Sequence, residues 1–151
     1  MDDLFIYDQQ NTGSKGLIFI GENILVYRRD DKTNLYPFHI DLPGGGAEPY
    51  ETPFQTFQRE LLEEFTLKVR PENITYYRKY NSVWEINKVT YFLTARLPEN
   101  NFKKIVFGNE GTEFMRMSLN EYLERTDAWP LFQERAVDYK SSLGRRLKVV
   151  C

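Results

Sequence analysis

Sulfur and imidazole are almost missing from this sequence. The one cysteine is Cys151, and the one histidine is His39. An intramolecular disulfide is therefore impossible, and so is a thiolate or multi-histidine metal cluster. A Ser-His-Asp triad would have to use His39, so hydrolytic chemistry would fall to carboxylates and hard cations. An excess of positive charge is missing too. Twenty Lys+Arg face 22 Asp+Glu, a formal net charge of −2, so no overall field draws the chain to nucleic acid or an anionic membrane. No apolar run approaches the length of a membrane-spanning helix. The start, Met1-Asp2-Asp3, lacks the apolar stretch of a secretory signal, and the expected location is the cytoplasm. The sequon Asn73-Ile74-Thr75 then reads as coincidence.

What is present is a globular balance. The 151 residues are 41% hydrophobic and 28% charged, enough for one domain, 1–151, with a real core. Lys15 to Gly21 and Asn23 to Arg29 are two strands split by a Gly-Glu turn, with Ile18, Ile20, Ile24 and Val26 supplying β-branched residues. Phe38 to Leu42 reads as a short strand before Pro43 and three glycines. Thr52 can cap a helix whose first residue is Pro53. Phe54, Phe57, Leu61 and Phe65 then recur at spacings of three and four, an apolar stripe. Asn73 to Tyr80, Trp84 to Leu97 and Glu113 to Ser118 read as strands, followed by a short helix near Glu121. Trp129-Pro130 opens a last helix with Leu131, Phe132, Val137 and Leu143 near one side. This order predicts a mixed α/β domain.

The chemistry concentrates in Gly44-Gly45-Gly46-Ala47-Glu48-Pro49-Tyr50-Glu51 and in Arg59-Glu60-Leu61-Leu62-Glu63-Glu64. On a helix from Thr52 to Thr66, Glu60, Glu63 and Glu64 span about 100° of arc beside the stripe. Glu64 is expected nearest the buried face and Glu63 most exposed. Like charges at these spacings cost a few tenths of a kcal/mol each, which suggests a missing cation. Oxygen ligands suit Mg²⁺ or Mn²⁺, and the glycine carbonyls could add to them. The glycines fit neither a dinucleotide fingerprint, broken by Pro49, nor a Walker loop, since no Gly-Lys-Ser/Thr follows.

The stretch Gly45 to Leu67 resembles the Nudix box, G-x5-E-x7-R-E-U-x-E-E-x-G-U, with U aliphatic. Gly45, Glu51, Arg59, Glu60, Leu61, Glu63, Glu64 and Leu67 fall in register, eight of nine specified positions. The resemblance implies a Nudix-type α/β/α sandwich with a mixed β-sheet. It also implies a hydrolase acting on a phosphoanhydride bond of nucleoside diphosphate-linked compounds. Carried over residue by residue, Glu60 and Glu64 would ligate the divalent metal. Glu63 would be a further ligand or an outer-sphere group, and the carbonyl of Gly44 would be an additional ligand. Arg59 would hold a carboxylate such as Glu51 or Glu63, with Gly45 and Glu51 supporting the site. A further Glu from the C-terminal half is expected at Glu110, with Glu113 second. Glu60 or Glu110 would take the proton of the attacking water. Two positions depart from the family: Thr66 replaces the box glycine, so a different helix ending is expected, and Tyr50 stands where many members have Gly.

Substrate choice follows less directly. Family markers downstream of the box, a proline for ADP-ribose or a tyrosine for dinucleoside polyphosphates, fall on Val83 and Trp84, so neither is present. The resemblance then favours nucleoside triphosphates, cleaved to monophosphate and pyrophosphate. Nucleotide sugars or other nucleoside diphosphate derivatives are the alternative, and a silent ligand-binding module is a third reading. Arg28 and Arg29 are candidates for substrate phosphates. Trp84, Tyr80, Tyr91 and Phe38 could stack on a base, although most of the aromatics read as core. The expected partner is a small nucleotide, with no nucleic acid or membrane, and the chain a monomer or homodimer.

Overall fold

Inward-facing residues of the first strand set the frame. In the computed structural model, β1 (Asn11–Ile20) sends Ile18 and Ile20 to one face and Leu17 and Phe19 to the other, the period of two that a strand imposes. The structure describes residues 2–109 and 111–150, with side chains for 3–109 and 111–144; Met1, Glu110 and Cys151 lie outside the described residues. β1 pairs antiparallel with β2 (Asn23–Arg29) at Phe19 and Ile20. Beyond it, β2 pairs antiparallel with β3 (Ile40–Asp41), and β1 pairs antiparallel with β4 (Gly44–Gly46). The sheet continues past the helix α1 (Pro53–Phe65) with β5 (Ile74–Asn81) and β6 (Val89–Leu97). β6 lies antiparallel to β5 and parallel to β1, with Ser14 opposite Tyr91 and Ile20 opposite Leu97. β7 (Gly111–Met117) returns to β2. Among the described residues the seven strands form one mixed sheet.

Helices cover both faces. Phe54, Phe57, Leu61 and Phe65 of α1 pack on the face carrying Ile18 and Ile20. The opposite face is covered by Tyr122 of α2 (Leu119–Glu124) and by Phe132, Ala136 and Tyr139 of α3 (Pro130–Val150). Burial of each large apolar side chain contributes roughly 1.5–3 kcal/mol. The expected α/β/α sandwich with a mixed sheet is what forms. No helix among the described residues is long and apolar enough to cross a membrane.

Several elements differ from the sequence reading. β1 starts at Asn11 rather than Lys15, because its polar first half is paired on both sides by backbone, which an apolar pattern does not register. The strand expected over Phe38 to Leu42 shrinks to Ile40–Asp41, since Tyr36 and Phe38 take φ of 50° and 60°. The glycines read as loop form β4. The long strand from Trp84 begins only at Val89. Before it, the Ser82 hydroxyl accepts the amides of Trp84 and Glu85 at 3.2 Å, and the Ser82 amide donates to Lys88 O at 2.9 Å, closing a loop. On α3, Val137 and Leu143 are exposed, and the buried stripe is Phe132, Ala136 and Tyr139.

Candidate active site

The catalytic-looking residues are held by the start of α1. The Thr52 hydroxyl accepts from the Gln55 amide at 3.1 Å, and the Gln55 side chain accepts from the Thr52 amide at 2.9 Å. This reciprocal cap, with Pro53 at the first position, fixes the helix's entry and contributes about 1 kcal/mol. Glu51 lies just outside the cap. Its carboxylate accepts Arg59 Nε at 2.7 Å, Arg59 Nη2 at 3.1 Å, the Thr56 hydroxyl at 3.0 Å and the Glu48 amide at 2.8 Å. Burial pushes the Glu51 pKa up, but these donors outweigh it and hold the group below the usual carboxylate range.

Arg59 is the hub. Besides Glu51, it donates from Nη2 to Gly46 O at 2.7 Å and from Nη1 to Glu60 Oε1 at 3.0 Å and Glu63 Oε2 at 3.2 Å. One guanidinium thus ties three carboxylates to strand β4, with the fork geometry that lysine lacks. Glu60 is the buried member at 8% exposure; Glu64 is half-buried and Glu63 exposed. The expectation that Glu64 lies deepest is therefore corrected. Its cause is outside the helix: β4 packs over Glu60, so closely that a Cβ at Gly45 would lie 2.6 Å from the Glu60 carboxyl carbon. Burial raises the Glu60 pKa, with Arg59 opposing and Glu63 adding.

Glu60 Oε2 is buried and, among the described residues, has no hydrogen-bond partner. Among the described residues, no three His, Cys, Asp or Glu side chains are arranged to hold a metal ion. The arrangement has a visible cause, since Arg59 draws Glu60 and Glu63 onto its own nitrogen. The donors available are nonetheless hard oxygens, and an orphaned buried carboxylate oxygen is what a cation would satisfy. Glu64 lies toward the segment before β7: its carbonyl accepts the Gly108 amide at 2.7 Å, and a Cβ at Gly108 would stand 3.1 Å from its carboxylate.

Glu60 and Gly44 to Gly46 line a cleft of about 440 Å³ whose other walls include Lys15, Arg29, Trp84, Thr90, Trp129, Phe132 and Arg135. The cleft passes from α1 to α3 over three residues without side chains. Lys15 and Arg29 are set there by Asp41, which is fully buried and accepts from Lys15 Nζ at 2.8 Å, Arg29 Nη1 at 2.7 Å and the Tyr27 hydroxyl at 3.1 Å. Two cations against one carboxylate leave net positive charge beside the cleft. Arg29 also lies over the Trp129 ring, 4.8 Å from its centre. Sequence reasoning missed Lys15 and Asp41. The available signal was a lysine inside an otherwise buried strand, which needs an anionic partner.

The family model described as NUDIX domain matches residues 12–137. The chain belongs to the Nudix family. It is therefore a hydrolase acting on phosphoanhydride bonds. Solved structures with the same fold include a mutT/nudix family protein from Listeria innocua, at 18% identity and a TM-score of 0.70, covering 93% of this chain and 98% of that one. The MutT protein from Methanosarcina mazei Go1 matches at 18% and 0.67, covering 89% and 96%. A C. elegans Ap4A hydrolase matches at 18% and 0.66, covering 87% and 98%. At this identity the likenesses speak for the fold. No curated protein matches the sequence.

The two departures from the family share one conformation. Thr66 has φ 56° and ψ 32°, and its amide donates to Leu61 O and Leu62 O, so the helix closes as a glycine would close it. The expectation of a different ending is not met; the backbone is retained and the β-branched residue carries the strain. A hydrogen bond from its hydroxyl to Val106 O, 3.3 Å, offsets part of it. Tyr50 likewise has φ 66°. Of the remaining expected residues, Arg29 reaches the cleft, whereas Arg28 pairs with Glu113 at 3.1 Å and Asp127 at 3.3 Å and is not among its lining residues. Glu113 is thus engaged by Arg28, and Glu110 lies outside the described residues.

Proposed function

We propose that this Nudix hydrolase cleaves nucleoside triphosphates to a monophosphate and pyrophosphate, using Mg²⁺ or Mn²⁺. The observation that carries the reading is Glu60 Oε2, buried and unpartnered among the described residues, beside the three glycines of a cleft that also presents Lys15 and Arg29. Glu60, Glu63, Glu64, the Gly44 carbonyl and Glu110 are the proposed oxygen donors for the cation. When bound, such a cation offsets the charge of the phosphoanhydride and makes the attacking water more acidic.

The chain's own residues do the rest. Arg59, itself braced by Glu51, orients Glu60 and Glu63 from one nitrogen. Glu60, with its raised pKa, is suited to accept a proton from water, and Glu110 is the second candidate for that role. Lys15 and Arg29 attract the polyphosphate. Gly44 to Gly46 let it cross from the acidic helix to the aromatic wall. Glu60→Gln should lower kcat at least 10²-fold, measured as released phosphate and pyrophosphate across nucleoside triphosphates, nucleotide sugars and dinucleoside polyphosphates with Mg²⁺ or Mn²⁺. Near wild-type turnover in that variant, or no hydrolysis of any compound by the wild type, would overturn the proposal.

A further inference from the structure

On the α3 wall of the cleft stands a cation that folding alone does not explain. Arg135, on α3 one turn after Phe132, is 4% exposed. Its Nη1 donates to the Thr90 hydroxyl at 3.0 Å, and its Nε is buried with no partner among the described residues. It lies over the rings of Tyr80, at 4.5 Å, and Phe132, at 5.6 Å. No ion pair to it forms among the described residues. Of the nearest carboxylates on its own helix, Asp138 is occupied by the Tyr80 hydroxyl at 2.7 Å and by Arg78 at 3.5 Å, and Glu134 acts only at a distance. Burial pulls the Arg135 pKa down, and Tyr80, Glu134 and Asp138 oppose it only in part. Such a group weakens the fold unless something else uses its hydrogens.

The surroundings say what could. Phe132 is a buried ring beside it, Trp129 packs on Phe132 with ring centres 5.0 Å apart, and the more exposed Trp84 packs on Trp129 at 6.0 Å. The phosphate-attracting groups, Lys15 and Arg29, are engaged with Asp41. A hydrated dianion would lose much and gain one cation in this aromatic pocket. A flat heteroaromatic ring would gain ring contacts, and a guanidinium fork matches two adjacent acceptors in its plane. Guanine offers O6 beside N7, and cytosine offers O2 beside N3. Adenine sets an amino donor beside its ring nitrogens, and uracil sets an N–H between its carbonyls.

Taking the nucleotide-hydrolase reading as its basis, we infer that Arg135 is a specificity-determining residue that receives the substrate's base, selecting bases with a carbonyl oxygen next to an unprotonated ring nitrogen. Thr90 positions the guanidinium. Guanine and cytosine nucleotides are then preferred over adenine and uracil nucleotides.

Two measurements separate this inference from the hydrolase reading itself. The first is kcat/KM for GTP, ATP, CTP and UTP with Mg²⁺. The second is metal-free binding of GMP, AMP, CMP and UMP in EDTA, followed by tryptophan fluorescence, since the chain's two tryptophans, Trp84 and Trp129, both line the cleft. Wild type should favour G over A and C over U by roughly tenfold or more. Arg135→Lys keeps the charge and loses the fork, so both ratios should fall to within about threefold of unity while binding persists. Thr90→Val should narrow them less. If Arg135→Gln does not fold, Arg135→Lys carries the test; a merely structural role would shift the melting temperature and leave the ratios alone. Ratios near unity in wild type, ratios unchanged in Arg135→Lys, or no binding of any monophosphate at millimolar concentration would overturn the inference. Base-selective binding without turnover would support it while sinking the hydrolase proposal. Turnover without base selectivity would do the reverse.

Discussion

At the residue scale, Thr66 shows how much strain one helix end tolerates. A β-branched residue at φ 56° costs on the order of 1–2 kcal/mol over a relaxed conformation, and one hydrogen bond to Val106 returns part of it. Thr66→Gly should therefore stabilise the fold by about 0.5–1 kcal/mol, read from urea denaturation midpoints. Asp8 gives the opposite kind of residue effect. Burial raises its pKa, but the Tyr91 hydroxyl at 2.8 Å, the Gln10 amide at 2.9 Å and nearby Lys79 together lower it below the unfolded value. The folded chain thus binds this proton less tightly than the unfolded chain. Its stabilisation is complete above the unfolded pKa and disappears as pH falls through the lower folded one. Asp8→Asn should cost about 1 kcal/mol at pH 7, and the gap to wild type should close toward pH 3 in denaturation curves.

At the scale of elements, β4 decides where the acidic helix can place its carboxylates. A methyl group at Gly45 would meet the far end of the Glu60 side chain at 2.6–2.8 Å, and that end can move. Gly45→Ala should then reduce kcat at least tenfold while the melting temperature changes by only a few degrees; parallel activity and melting measurements check this. A methyl at Gly44 would instead meet Ser14 O at 2.2 Å on a backbone at φ 128°, a contact with no flexible partner. The helix that bears Glu60 was legible in advance because its cap, its apolar spacing and its acidic run are all local. β4 was not, since three glycines carry no side-chain pattern and become a strand only through Gly13 to Lys15 of β1. For the same reason, Glu60's burial under β4 escaped a helical projection. The Asp41 pairing joins residues 26 and 12 positions apart, beyond any local pattern. Arg135 was hidden within a helix read only for its apolar side, where a charged residue between Phe132 and Tyr139 looks like a solvated face.

At the scale of the whole molecule, a bound cation would add its affinity to the folding equilibrium. Mg²⁺ or Mn²⁺ at 100 times its Kd should stabilise the chain by about 2.7 kcal/mol, and Glu60→Gln should remove most of that gain. Melting curves with EDTA and with each metal measure it; identical curves would count against a cation at this site. The sheet has a further consequence, for the order in which the chain can fold. Its longest seam joins β1 to β6 in parallel, strands whose first paired residues are Asn11 and Val89, and β2 must wait for β7, where Arg28 meets Glu113. On the ribosome, β1 therefore emerges well before its principal partner exists. The hairpin through Phe19 and Ile24 can close first, and the β2–β3 and β1–β4 pairings can follow as soon as Gly46 is made. The distant pairings slow folding, and the apolar β1 stays uncovered on its β6 side meanwhile. The nascent chain thus passes through a period in which the β6-side edge of Leu17 to Ile20 is open to chaperones or to another copy's strand edge, and the cleft is completed only after that period ends, when Thr90, Trp129 and Arg135 join the β1–β4 junction.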